Sequence, residues 1–194
     1  MKNKIGIFLA ARSGSKRLPN KHFLKFNSDL KVIDLCILRL KKAKFVKKIY
    51  LCTTKKKEDD EFKVISKKHK IQIFRGSNQN VAKRIIDCAR ENSIETIVRI
   101  TADCPLIDSE LVDSCIKLHL KKNVDYTSNV LKFSFPDGLD VEVFKLNTLI
   151  KSQNLSKTNY NKEHVTNFIR KSKKFKKYNF EYFLDFSNRR WTLD

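Results

Sequence analysis

Ile5–Lys21 reads IGIFLAARSGSKRLPNK, an apolar run followed at once by a loop of small and basic residues. Ile5 to Ala10 predicts a buried strand, and Ala11, Arg12, Ser13, Gly14, Ser15, Lys16 and Arg17 predict the loop that leaves it. Small residues let backbone N–H groups approach an anion, and Arg12, Lys16, Arg17 and Lys21 offer charged donors suited to phosphate oxygens. In an open α/β sheet, ligands bind at the carboxyl ends of the strands, which is where this loop would lie. The alternative is a basic surface turn. With Gly14 as its single glycine, the loop is neither a G-x-x-x-x-G-K-[ST] nor a G-x-G-x-x-G phosphate motif.

Outward from this stretch, short apolar runs alternate with helical spacing. Helices are predicted at Val32–Lys44, Glu58–Lys68, Val81–Asn92 and Ser109–Leu120, and strands at Lys48–Thr53, Ile71–Arg75 and Thr96–Thr101. That order predicts an α/β fold, a mostly parallel sheet with helices on both faces. No repeat or linker divides the 194 residues, so residues 1–194 read as a single domain.

The formal charge of +21 points to an anionic partner, yet most of the excess is Lys in scattered pairs such as Lys41-Lys42 and Lys121-Lys122. No Arg-rich or aromatic-interleaved run of the single-stranded nucleic-acid kind is present, so a basic nucleic-acid-binding protein is the lesser reading. The five cysteines are widely spaced without C-x-x-C, which predicts reduced, buried thiols in a cytoplasmic protein. The apolar N-terminal run has charged residues after it, unlike a cleaved leader, and no run is long enough to cross a bilayer.

The A-R-x-x-S-x-R-L-P-x-K pattern of Arg12, Ser15, Arg17, Leu18, Pro19 and Lys21 resembles the signature of the cytidylyltransferases. These are the acylneuraminate and 3-deoxy-manno-octulosonate (KDO) enzymes, and the spore-coat polysaccharide biosynthesis branch is the most similar. Gln72–Arg84, QIFRGSNQNVAKR, resembles a second block of that family, and Arg99–Ile107, RITADCPLI, a third. The resemblance implies a three-layer Rossmann-like nucleotidyltransferase fold of glycosyltransferase-A-like type. It also implies transfer of CMP from CTP to a sugar acid, nonulosonic-acid or KDO-like, with release of pyrophosphate. Arg12, Lys16 and Lys21 would then steady the triphosphate, the Leu9–Ala11 backbone would read the cytosine edge, and Arg75 and Ser77 would touch base or ribose. Ser77 could equally cap the following helix, and Arg84 could tie that helix to the loop or serve the substrate. Asp103 by itself reads as a turn or cap residue, whereas the D-x-P-L resemblance makes it a Mg²⁺ ligand.

Further blocks follow at Asp125–Asn129, Phe135–Phe144 and Glu163–Thr166, making 125–170 the expected acceptor-binding and dimerisation region. In FPDGLDVEVF, alternation puts Asp140 and Glu142 on one face of a predicted strand, either as a solvent-facing row or in an acceptor pocket. His164, expected to open an apolar helix, is a candidate acceptor contact or a helix-terminal residue. A last strand is expected at Arg190–Leu193, and the resemblance implies a second metal ligand in Asp194. The helix that follows this aspartate in the family is missing here, which suggests a truncated product or an incomplete sequence. The family also implies a homodimer. Within the same fold, a phosphonate or polyol-phosphate acceptor is the alternative substrate.

Overall fold

The computed structural model describes residues 4–15, 17–46 and 48–193. Its strands are β1 (Ile5–Ala10), β2 (Ile49–Thr54), β3 (Gln72–Gly76), β4 (Thr96–Thr101), β5 (Tyr126–Ser128), β6 (Glu142–Lys145) and β7 (Lys177–Asn179). They form one mixed sheet in the order β3-β2-β1-β4-β6-β5-β7. Ile7, Phe8 and Leu9 of β1 are fully buried, as a central strand covered on both faces requires. Its neighbours β2 and β4 run parallel to it, with Ala10 beside Cys52 on one side and Thr101 on the other.

The helices are α1 (Val32–Leu40), α2 (Glu61–Lys68), α3 (Val81–Glu91), α4 (Ser109–Lys122), α5 (Leu146–Leu155), α6 (Asn159–Glu163) and α7 (Asn167–Lys171). Strand alternation sorts the apolar side chains into two cores. Ile7, Leu9, Leu51, Val98 and Ile100 pack with Ile33 and Ile37 of α1, Phe62 of α2 and Val112 and Ile116 of α4. Phe8, Tyr50, Cys52 and Ile97 pack with Ala82, Ile85 and Ala89 of α3, Leu149 of α5 and Ile169 of α7. Each fully buried aliphatic or Phe side chain contributes about 1.5–3 kcal/mol of transfer free energy, so both faces are held strongly. The α/β, mostly parallel architecture expected from the sequence is therefore present.

Strands β1, β2, β3 and β4 all end at the same edge of the sheet. The chain leaves β1 toward β2 and β3, then returns to the other side of β1 as β4. This reversal of strand order opens a crevice beyond the carboxyl ends of β1 and β4, the usual ligand position in such sheets.

Several sequence expectations need correction. The helix expected from Glu58 is a 3-10 turn, Lys57–Asp59, followed by α2. Asn80, not Ser77, caps α3: its side chain accepts from Lys83 N–H at 2.8 Å, while Ser77 Oγ accepts from Asn80 N–H. Of FPDGLDVEVF only Glu142, Val143 and Phe144 are strand, the first three residues of β6. Gly138 turns the chain at φ +104°, and an added Cβ would meet the Trp191 carbonyl carbon at 2.6 Å, so only glycine fits there. Arg190–Leu193 is not a strand; Arg190 makes a single parallel bridge to Asp137. His164 ends α6 rather than opening a helix. Asp108 caps α4, accepting from Glu110 and Leu111 N–H, and all five cysteines are free and buried, as their spacing predicts.

Candidate active site

The crevice beyond β1 and β4 is a cavity of about 620 Å³. Ala10, Ala11, Arg12, Gly14 and Ser15 of the first loop line it, opposite Thr101, Ala102 and Asp103. The side chains of Arg12, Arg17, Lys21, Arg84 and Arg99 reach its wall, against the carboxylates of Asp103 and Glu163. Cationic groups thus outnumber anionic ones among the described lining residues, as a polyphosphate would require.

The loop is held open by an anchor that sequence reading missed. Ser13, expected to face the nucleotide, is buried and turned inward: its N–H and its hydroxyl both donate to Asp59 Oδ1, at 2.7 and 2.6 Å. Thr54 Oγ1 donates to the other oxygen of the same carboxylate. The Ser13 carbonyl accepts in turn from Ser15 and Asn20 N–H, so the loop turns around this residue. Burial alone would raise the Asp59 carboxyl, but the hydrogen bonds from Ser13 and Thr54 outweigh it and hold the pKa below the usual value. Because the folded pKa is depressed, this stabilisation is present above the unfolded value near 3.8 and is lost as pH falls through the folded one. Asp59→Asn is therefore expected to lower the melting temperature at pH 7 and to narrow its gap from the parent as pH drops below about 4, read by thermal denaturation across that range.

Lys21 and Asp103 meet across the cavity floor, Nζ to Oδ2 at 2.6 Å, with side chains 10% and 25% exposed. Burial pushes the Asp103 carboxyl up, yet the Lys21 ammonium beside it more than reverses that and keeps it ionised. The turn that carries Asp103 is clamped from behind, its carbonyl accepting from Leu193 N–H at 2.9 Å and Thr192 Oγ1 at 3.0 Å. His22, which sequence reading passed over beside Lys21, also lines the cavity. Burial lowers its pKa to about 4, and its Nδ1 lies 3.3 Å from the Ala102 carbonyl, so it is a neutral imidazole at pH 7. Arg84, buried to 1% exposure, donates through Nε and Nη2 to the Ser77 carbonyl, tying α3 to the loop while reaching the cavity wall.

Arg75 and Ser77 do not line this cavity. The Arg75 guanidinium is engaged by Asp60 Oδ1 and by the Thr54 and Lys56 carbonyls at 2.6–2.8 Å. Leu9 is wholly buried in the strand, and Ala11 N–H donates to the Cys52 carbonyl. Lys16 and Asp194 lie outside the described residues.

A smaller cavity of about 140 Å³ adjoins the first, and Arg99 walls both. Asp140, His164, Tyr160, Thr166 and Arg170 line it, so the structure brings Asp140 and His164 together as the sequence suggested. Glu142 lines it too, but neither as a solvent-facing group nor as a free one. It is 3% exposed, one oxygen bound by Arg99 Nη1 and the other by Tyr126 Oη and Thr166 Oγ1 at 2.6 and 2.5 Å. Its structural effect is to aim Arg99. Asp140 is the opposite case: burial first, then the negative charges of Glu142 and Asp137, raise its pKa to about 6. At the mouth, Arg12 Nη2 meets Glu163 Oε1 at 2.6 Å, both side chains about half exposed.

A family model described as "Cytidylyltransferase" matches residues 6–189. The chain belongs to the cytidylyltransferase family. A solved cytidylyltransferase from Leptospira borgpetersenii is 35% identical, superposes with a TM-score of 0.95 and matches over 98% of this chain and 81% of that one. An uncharacterised protein of Methanocaldococcus jannaschii is 40% identical over 85% of this chain. The spore coat polysaccharide biosynthesis protein SpsF of Bacillus subtilis is 31% identical over 87% of it. The chain spans 66% and 70% of the lengths of those two curated relatives. The family assignment covers the whole first cavity, from Ala10 to Glu163, and gives the convergence of basic groups beyond β1 and β4 its context. No helix among the described residues is long and apolar enough to cross a membrane.

Proposed function

We propose that this cytidylyltransferase-family chain binds CTP in the larger cavity and transfers CMP to a hydroxyl of a sugar acid seated in the smaller one. The observation that carries the reading is the joining of the two cavities at Arg99, with a strongly cationic first chamber and a polar, carboxylate-bearing second. The acceptor oxygen forms a bond to the α-phosphorus, the bond to the β-phosphate oxygen breaks, and the hydroxyl proton passes to solvent. Catalysis of such an in-line displacement is chiefly positioning and charge neutralisation. Arg12, Arg17 and Lys21 hold the triphosphate and the departing pyrophosphate. Arg99, aimed by Glu142, steadies the group between the cavities, and Asp140 and His164 contact acceptor hydroxyls.

Asp103 also fits a Mg²⁺ ion. It is an ionised hard-oxygen ligand at the cavity edge, and Mg²⁺ commonly takes one or two carboxylates and completes its shell with phosphates and water. Bound there, the ion would neutralise phosphate charge.

The Arg12–Glu163 pair must yield for Arg12 to reach a phosphate. Glu163→Gln removes that competitor, and CTP is expected to bind several-fold more tightly, as read by calorimetry. An unchanged or weaker Kd contradicts the placement of Arg12 on the triphosphate.

Arg170 beside Arg99 in the second cavity supports a second reading, a phosphorylated acceptor such as a polyol phosphate. Pyrophosphate release from CTP, measured against a panel of 2-keto-3-deoxy sugar acids and polyol phosphates, tests both. Release with the sugar acids supports the first reading, and release only with the phosphates supports the second. No release with any acceptor despite CTP binding counts against both acceptor classes.

A further inference from the structure

At the opposite end of β4 from Asp103 lies a separate cavity of about 390 Å³, walled by Glu95, Thr96, His119, Asn123, Lys145 and Asn147. Three features of it have no part in nucleotidyl transfer. The first is the start of α5, where the Leu146 N–H is taken by the Glu95 carbonyl and the N–H groups after it begin the helix. No side chain caps it, no acidic residue stands in its first turn, and its N-cap position is Lys145. Such a terminus presents N–H donors and a partial positive charge. The second is Lys145 itself, whose ammonium is held by a neutral acceptor, Asn123 Oδ1 at 2.9 Å, and so keeps its charge uncompensated by that contact. The third is His119, 2% exposed, whose Nε2 has no hydrogen-bond partner. A buried polar atom left unpaired costs on the order of 1–3 kcal/mol, which a ligand would relieve.

The imidazole can serve as a donor. Its Nδ1 lies 3.1 Å from the Thr127 hydroxyl, which can donate to it and leave the proton on Nε2. Burial, then the Lys145 charge, lower its pKa to about 4, against a smaller opposing effect of Asp125, so the ring is neutral at pH 7. Glu95 is the acidic member of the wall. It is exposed, and its backbone carbonyl accepts from Leu146 N–H at 2.8 Å.

We infer that this cavity is a binding site for a small oxyanion, the phosphoryl group of a metabolite or free phosphate, received by the α5 N-terminus, Lys145 and the His119 Nε2–H. It is independent of the triphosphate site, since the two cavities share no lining residue and sit at opposite ends of β4.

The test is a titration of the ¹⁵N-labelled protein with inorganic phosphate at fixed pH 7.5 and ionic strength, following the His119 imidazole resonances, assigned by their loss in His119→Gln. A saturable shift is expected in the parent and also in Arg12→Ala, which weakens only the triphosphate site. Lys145→Met should weaken the phosphate Kd at least tenfold, and Glu95→Gln should tighten it several-fold. Asn147→Asp puts a carboxylate into the first turn of α5. It should abolish phosphate binding while leaving the melting temperature unchanged or higher, because an acid there favours the helix. Phenyl phosphate distinguishes the two sources: tighter binding than inorganic phosphate marks a phosphorylated metabolite, weaker binding the free ion. No shift at tens of millimolar phosphate, an effect lost in Arg12→Ala, or a reversed order of the Lys145 and Glu95 variants overturns the proposal.

Discussion

Asp103→Asn is expected to lower CTP-dependent pyrophosphate release by about 10²–10³-fold, the loss seen when one preorganised electrostatic group is removed from a reacting centre. The substitution keeps the size of the side chain and an oxygen for Lys21 to bond, but removes the charge that the Lys21 ammonium holds in place. The turn itself should survive, because the contacts from Leu193 N–H and Thr192 Oγ1 are made to the Asp103 backbone carbonyl. The predicted signature is thus a fall in kcat with a melting temperature within a few degrees of the parent. A variant that keeps its rate within about threefold would remove Asp103 from the reaction and leave it as a structural partner of Lys21, since even one lost transition-state contact normally costs far more.

Glu142→Ala should have the largest effect on stability. The carboxylate is buried and bound by Arg99, Tyr126 and Thr166; burial raises its pKa, and the Arg99 charge together with the hydrogen bonds from Thr166, Tyr126 and Arg99 more than reverses that. Removing it leaves the Arg99 guanidinium and the Tyr126 hydroxyl without their partner in the interior. Breaking a buried pair from one side costs about 3–5 kcal/mol. For a domain of this size each kcal/mol moves the melting temperature by roughly 2–4 °C, so the expected drop is about 6–20 °C. The double variant Arg99→Met, Glu142→Leu should lose less than Glu142→Ala, because it leaves no unpaired charge. It should nevertheless lose transfer activity, which separates the role of Arg99 at the cavity wall from its role in the fold. Denaturation and activity of the three proteins together decide this, and a double variant less stable than the single one contradicts the pairing.

How far the sequence alone leads is seen by comparing Ile5–Lys21 with Phe135–Phe144. Ile5–Ala10 was legible because three consecutive buried residues, Ile7 to Leu9, leave no choice but a central strand, and β4 coincides with its expected span. Local alternation carried the same information in FPDGLDVEVF, yet Gly138 turns the chain and the Trp191 backbone packs over it, so pairing shrinks to Glu142–Lys145 and one bridge at Asp137. The contacts that made the difference come from the far end of the chain, beyond any local pattern. The same holds in the site. Arg12 and Lys21 stood out by charge and Asp103 by the resemblance of its D-x-P-L turn, and they do converge on one cavity. Asp59 and Glu163 did not, because their partners Ser13 and Arg12 lie 46 and 151 residues away. Arg75 looked like a nucleotide contact from its block, whereas Asp60 and two carbonyls of the β2–α2 connection engage it.

Asp140 shows what function asks of this fold. A carboxyl with its pKa raised to about 6 opposes folding at pH 7, since stability from a raised pKa is full below the unfolded value and is lost as pH climbs through the folded one. A group that works against the fold in the wall of a cavity is a mark of a site shaped for a ligand rather than for stability.

Binding of the four ribonucleoside triphosphates, measured by calorimetry with and without Mg²⁺, tests the central claim most directly. CTP should bind selectively, more tightly with the metal, and the metal's contribution should vanish in Asp103→Asn. Equal affinity for all four nucleotides, or no binding, would contradict the account and reduce the loop after β1 to a basic patch.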